Sequence, residues 1–264
     1  MGAGKSGRWS CGQSGQRAHR CCRAGEKGAR SYAGSLTLKC LTLSMREAVV
    51  LVHGLWSVAG VDLLRLRNRL RNAGYECHMF NYHVWGKPPA EIAVKLNEFI
   101  KKIDAPVVHI VAHSFGGIVT MHLFDQFPYN KKGRIVLLAS PVNGSAVGKR
   151  INAHPMTRWM LGQSHVNGLS GDVPEWKGWQ DIGVIAGNIP IGMGLVTGGP
   201  KLPHDGTVSV EETQLKGATD SIVVRESHLS ILMSGAVAKQ VIIFLQTGKF
   251  DQDTVTPLFE AELA

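Results

Sequence analysis

The sequence predicts an α/β fold: a mostly parallel central sheet with helices on both faces and a short cap insertion. Three observations predict it. Short apolar runs alternate with segments of helical period from about residue 46 to residue 248. The runs are continuously apolar rather than alternating, as in strands buried on both faces. One of them ends abruptly in Ala112-His113-Ser114-Phe115-Gly116-Gly117, where a strand must turn sharply into a helix at a serine.

Each element follows from its local pattern. Ala48 to Val52 is wholly apolar and reads as the first strand. Val61 to Ala73 reads as a helix, with Leu63, Leu66 and Leu70 on one face and Gly74 as its stop. Its arginines, Arg65, Arg67, Arg69 and Arg71, read as the solvated side. Tyr75 to Tyr82 is the second strand. Pro88 to Ile103 places Ile92, Leu96, Phe99, Ile100 and Ile103 at the spacing of one helical face. The strand ending at Ser114 is followed by a helix from Phe115 to about Phe127. Arg134 to Ala139 is a further buried strand. Regularity is then lost between Pro141 and Gln180, the expected cap. Asp181 to Ala186 reads as a strand, Gly187 to Pro203 as a Gly/Pro-rich loop, Ser221 to Val224 as the last strand, and Gly235 to Gln246 as the closing helix.

Charge divides the chain in two. The net charge is +9, but eight of the 29 Lys/Arg and only one of the 20 Asp/Glu lie in residues 1–44. The remaining 21 basic and 19 acidic residues nearly balance, so nucleic-acid binding is not expected of the body. The head also holds Cys11, Cys21, Cys22 and Cys40 and has no apolar period before about Leu36. Three readings compete: a flexible basic tail, a transit-like peptide, or translated upstream sequence with Met45 as the natural start. The last is preferred, because ordered patterning begins at Arg46. Residues 45–264 then form one domain, with the cap at about 141–180.

Several motifs are set aside. Gly4-Lys5-Ser6 lacks the earlier glycine and the strand of a phosphate loop. Cys21-Cys22 lacks the paired spacing of a zinc site, and His154, His165 and Asp172 in the cap have only generic spacing, so no metal and no cofactor are expected. No apolar segment has signal-peptide or membrane-spanning length. The body's single cysteine, Cys77, fits a reducing compartment, and a cytoplasmic location without stable membrane insertion is expected. The oligomeric state is left open.

Ser114 is the candidate nucleophile, because a strand-to-helix turn this tight holds the serine Oγ out at the sheet edge. A serine needs a base, a group to orient that base, and donors for the oxyanion. His228 lies just after the last strand and before the last helix, where the base belongs. Asp205, in Pro203-His204-Asp205-Gly206, lies between the last two strands; Asp172, Asp181 and Asp220 are less well placed. Two backbone N–H groups can form the oxyanion hole. Phe115 follows the nucleophile at a helix start, and Leu55 follows Gly54 in the loop after the first strand.

Together VLVHGL, AHSFGG, SPVNGS and HDGTVSVEET…SHLSIL resemble the α/β-hydrolase superfamily, in particular its small bacterial lipase/esterase branch, over most of residues 46–248. The resemblance implies a Ser114–Asp205–His228 catalytic triad, a nucleophile elbow, and Leu55 and Phe115 as oxyanion donors. Ala112 replaces the first glycine of the common G-x-S-x-G elbow, which adds one methyl group. The expected activity is cleavage of a small-molecule ester or lipid through an acyl-enzyme. A thioesterase or amidase with the same triad, and a non-catalytic binding protein of this fold, are the alternatives. Trp56, Met156, Trp159 and Met160 are the candidate substrate-binding residues, the last three in the cap.

Overall fold

The structure, a computed structural model of the chain, describes residues 46–55, 57, 60–83, 87–127, 131–194 and 198–254. The basic head and Trp56 lie outside the described residues.

Six strands form one sheet: β1 (Glu47–Val52), β2 (Glu76–Phe80), β3 (Val107–His113), β4 (Ile135–Leu138), β5 (Ile182–Gly187) and β6 (Asp220–Val224). Their order is β2-β1-β3-β4-β5-β6 and each neighbouring pair is parallel. All six coincide with the strands read from the sequence. The expected parallel sheet is therefore present, since parallel neighbours need long crossovers and the helices supply them.

Four long helices make those crossovers or close the fold: α1 (Leu64–Asn72), α2 (Pro89–Lys101), α3 (Phe115–Gln126) and, at the end, α7 (Gly235–Thr247). A short 3₁₀ turn, Val61–Leu63, opens the segment expected to be wholly helical. Each strand divides its side chains between two cores. Ala48, Val50 and Val52 of β1 pack with Ile92 and Leu96 of α2 and Ile118 of α3. Val49 and Leu51 pack on the other face with Leu66 and Leu70 of α1 and Val241 and Phe244 of α7. Full burial of one such side chain contributes about 1.5–3 kcal/mol, so both faces must be covered for the sheet to form.

The cap segment is more ordered than its composition suggests. It contains α4 (Ala146–Ala153), whose Ser145 Oγ accepts the Gly148 N–H at 3.0 Å. Only Val147 and Ile151 carry the apolar period of α4, and Gly148 sits between them, so its signal is weak. A 3₁₀ turn (Arg158–Leu161) and a kinked turn (His165–Leu169) follow. Two other short helices were not read from the sequence: α5 (Val210–Thr213), whose Ser209–Glu212 capping box is a start signal without an apolar period behind it, and α6 (Ser230–Met233). The arginine face of α1 is not wholly solvated, because Arg69 Nη1 donates to the Met233 carbonyl at 2.6 Å. Among the described residues, no helix is long and apolar enough to cross a membrane.

Candidate active site

The sheet order sets the site. The chain leaves β1 toward β2, then returns across β1 to β3, so the loops after β1 and β3 lie side by side. The register pairs Val52 with Ala112, which brings His53-Gly54-Leu55 against His113-Ser114-Phe115. On the other side of β4, Gly187 of β5 pairs with Val224 of β6. The loops after these two strands carry Asp205 and His228.

Ser114 sits between β3 and α3 with φ 51° and ψ −121°. A non-glycine residue held there costs about 1–3 kcal/mol, which the buried strand and helix on either side must offset. Its N–H donates to the Leu138 carbonyl at 2.9 Å, and its carbonyl accepts from Gly117 N–H at 3.0 Å. The glycine after Phe115 is dictated by sterics. A Cβ on Gly116 would lie 2.5 Å from the Val52 carbonyl oxygen and 2.7 Å from that of His53. Gly54 is also confined, because a Cβ there would stand 3.0 Å from Ser114 Cβ.

A continuous line of hydrogen bonds runs from the serine. Ser114 Oγ lies 3.0 Å from His228 Nε2, and His228 Nδ1 lies 2.7 Å from Asp205 Oδ2. Asp205 is only 1% exposed. Its other oxygen, Oδ1, accepts the Thr207 and Val208 N–H groups at 2.8 and 2.7 Å. The buried carboxylate therefore has partners at both oxygens, as burial demands. With Asp205 accepting at Nδ1–H, His228 presents an Nε2 lone pair to the serine hydroxyl. The His228 N–H also donates to the Asp205 carbonyl at 2.9 Å.

Residues beyond the expected set shape the site. Tyr82 stacks on the His53 ring, with centroids 4.2 Å apart, and its hydroxyl donates to the His53 carbonyl at 2.6 Å. This fixes the loop that carries Gly54 and Leu55. Burial, the largest cause, lowers the His53 pKa and raises that of Tyr82. His113, which reads from sequence as a packing histidine, donates from Nε2 to the His228 carbonyl at 3.0 Å. A signal for these partners was absent, because each depends on strands far apart in sequence.

A cavity of about 630 Å³ opens at Ser114 and His228. Its walls are mainly apolar: Leu55, Phe115, Val147, Ile151, Leu161, Leu169, Met193 and Val208, with Ser57, Asp62, His113, Ser145 and Thr207 as polar interruptions. Of the expected binding residues, Met156, Trp159 and Met160 do not line it. Met156 and Trp159 are 78% and 65% exposed, while Met160 packs at the edge of the core. The cap does reach the cavity, but through the inward positions of α4 and the turns after it. A large apolar residue in the cap sequence does not reveal which way it faces; the helical phase of Val147 and Ile151 does. Among the described residues, no three His, Cys, Asp or Glu side chains gather as metal ligands.

A parallel sheet, with the loops that carry Ser114, Asp205 and His228 at the strands' C-terminal ends, and a serine at a strained strand-to-helix turn fit the α/β-hydrolase class. The chain belongs to the alpha/beta hydrolase family, whose model matches residues 49–209. Solved structures share the fold. A Bacillus licheniformis lipase in its mature form is 21% identical, with a TM-score of 0.61, over 78% of this chain and 93% of that one. A metagenomic carboxyl esterase is 16% identical, with a TM-score of 0.57, over 72% of this chain and 66% of the esterase. A thioesterase domain from the nocardicin cluster is 17% identical, with a TM-score of 0.51, over 76% of this chain and 94% of that one. No curated protein sequence matches the chain.

Proposed function

We propose that the protein is a serine hydrolase that cleaves carboxylic esters with an apolar acyl group, through an acyl-enzyme. The observation that carries this reading is the Ser114–His228–Asp205 line, with spacings of 3.0 and 2.7 Å. His228 Nε2 takes the Ser114 proton as Oγ attacks the ester carbonyl. Asp205 Oδ2 holds the Nδ1–H tautomer and stabilises the imidazolium that forms. The tetrahedral oxyanion is met by the N–H groups of Phe115, first residue of α3, and Leu55. Imidazolium then protonates the leaving alcohol. Water, deprotonated by His228, releases the acid and restores Ser114.

The apolar walls of the cavity favour a hydrocarbon acyl chain, because each methylene moved from water contributes about 0.8 kcal/mol. The substrate is therefore a small-molecule ester or lipid. Hydrolysis of p-nitrophenyl esters of increasing chain length by the full chain tests the reading. Ser114→Ala is expected to lower kcat by at least about 10³-fold. No hydrolysis at any chain length, or an undiminished rate in Ser114→Ala, would overturn it.

A further inference from the structure

His113 is the last residue of β3, so its backbone leads directly into Ser114 while its side chain leaves the strand. That side chain is 3% exposed and spans to a different loop. Its Nε2 lies 3.0 Å from the His228 carbonyl oxygen. A carbonyl only accepts, so Nε2 must carry the hydrogen. The two rings stand 4.8 Å apart, tilted by 46°. On its other side the ring lies against the loop after β1, where a Cβ on Gly54 would come 3.1 Å from His113 Nδ1. Nδ1 itself is buried and has no hydrogen-bond partner among the described residues. An imidazole kept at that cost points to a task for its other nitrogen.

The task follows from how His228 is held. Its peptide is tied at both ends, the N–H to the Asp205 carbonyl and the C=O to His113. Its ring is tied at Nδ1 to Asp205, leaving Nε2 to meet the serine. Three of these links run to Asp205 or Ser114. The fourth, from His113, holds the His228 carbonyl itself.

Resting on the hydrolase reading above, we propose that His113 is a positioning residue: its Nε2–H, bonded to the His228 carbonyl, sets where the His228 imidazole stands relative to Ser114 Oγ. The ring must stay neutral, since a second imidazolium beside His228 would oppose the charge that His228 gains in the reaction. Burial holds the His113 pKa well below the ordinary imidazole value; the charge of His228 and, less, that of His53 push the same way, against the bond to the His228 carbonyl.

Three variants of the full chain test this. His113→Gln keeps a donor at the reach of Nε2, His113→Asn has a donor that falls short, and His113→Leu fills the space without one. The readouts are kcat and KM on a soluble p-nitrophenyl ester and the rate at which a fluorophosphonate labels Ser114. The expected result is that Leu and Asn lower kcat and labelling by about 10–100-fold with KM unchanged, and that Gln restores about tenfold of the loss. If Leu does not fold, the Gln-to-Asn difference decides. Equal rates for Gln and Asn, or parent-like rates for Leu, would overturn the proposal alone. A parent chain that neither turns over ester nor labels would remove the hydrolase reading and the proposal together.

Discussion

Asp205→Asn replaces one oxygen by an NH₂ group, and the local hydrogen bonds decide how the new amide must sit. Oδ1 accepts two backbone N–H groups, from Thr207 and Val208, and Oδ2 accepts from His228 Nδ1. If the amide oxygen keeps the Oδ1 place, both backbone donors stay satisfied. Turning the amide over would set its NH₂ against one buried and one part-buried donor, and each lost bond costs about 1–3 kcal/mol in such a site. The first orientation therefore prevails by about 2 kcal/mol or more. It points NH₂ at His228 Nδ1, which must then carry a lone pair and hold its hydrogen on Nε2. That hydrogen faces Ser114 Oγ at 3.0 Å, so the base is in the wrong tautomer to take a proton. The expected loss in kcat is about 10⁴-fold at pH 7, or about 5.5 kcal/mol of barrier, with little change in KM. The assay is steady-state hydrolysis of the best p-nitrophenyl ester, with Tm measured on the same samples to confirm folding. A folded Asp205→Asn protein within tenfold of the parent kcat would refute the reasoning.

Other outcomes follow from the same geometry. Ile151→Trp, at an inward position of α4, is expected to shorten the preferred acyl chain, with about 10-fold or more lost on the longest esters and little on acetate; an unchanged chain-length profile would contradict this cavity wall. Gly116→Val places carbon against the Val52 and His53 carbonyls, so a loss of roughly 1–3 kcal/mol in urea unfolding, with loss of activity, is expected. Leu96→Ala empties a fully buried position on α2 and should cost about 2–5 kcal/mol in the same assay without moving KM. His53, His109, His113 and His122 all have pKa values lowered chiefly by burial. Below pH ~6.5 the unfolded chain therefore binds more protons than the folded one, so their contribution is whole above that pH and lost as pH falls through it. Tm should decline on acidification below pH ~6.5 and, because burial raises the pKa values of Cys77, Tyr75 and Tyr82, decline again at alkaline pH where the unfolded chain loses those protons first; a Tm that rises toward pH 5 would contradict neutral burial of the histidine rings.

Much of the sheet was legible because a parallel strand buried on both faces has to be apolar nearly throughout, and β4, Ile135 to Leu138, is so at every position. Long helices were legible for a similar reason, as the face of α2 built from Ile92, Leu96 and Ile100 repeats over several turns. The short helix α4 was not, because two apolar residues around a glycine make no period. The cavity walls were not either. Met156 and Trp159 are among the largest apolar residues of the cap, yet direction rather than composition decides what reaches the cavity, and they face outward.

By itself the sequence determined the class of fold, and it pointed to a sharp strand-to-helix turn at Ser114 with Asp205 and His228 as the candidates in the chain order of that fold. These are local or ordered along the chain, and a local pattern suffices to state them. Only the tertiary structure decided what stands beside what. The order β2-β1-β3 and the pairing of Val52 with Ala112 put Gly54 against Ser114. The neighbouring ends of β5 and β6 put Asp205 beside His228. The bond from His113 to the His228 carbonyl joins residues 115 positions apart in the chain. Contacts of that kind depend on strand order and register, which no single segment of sequence carries.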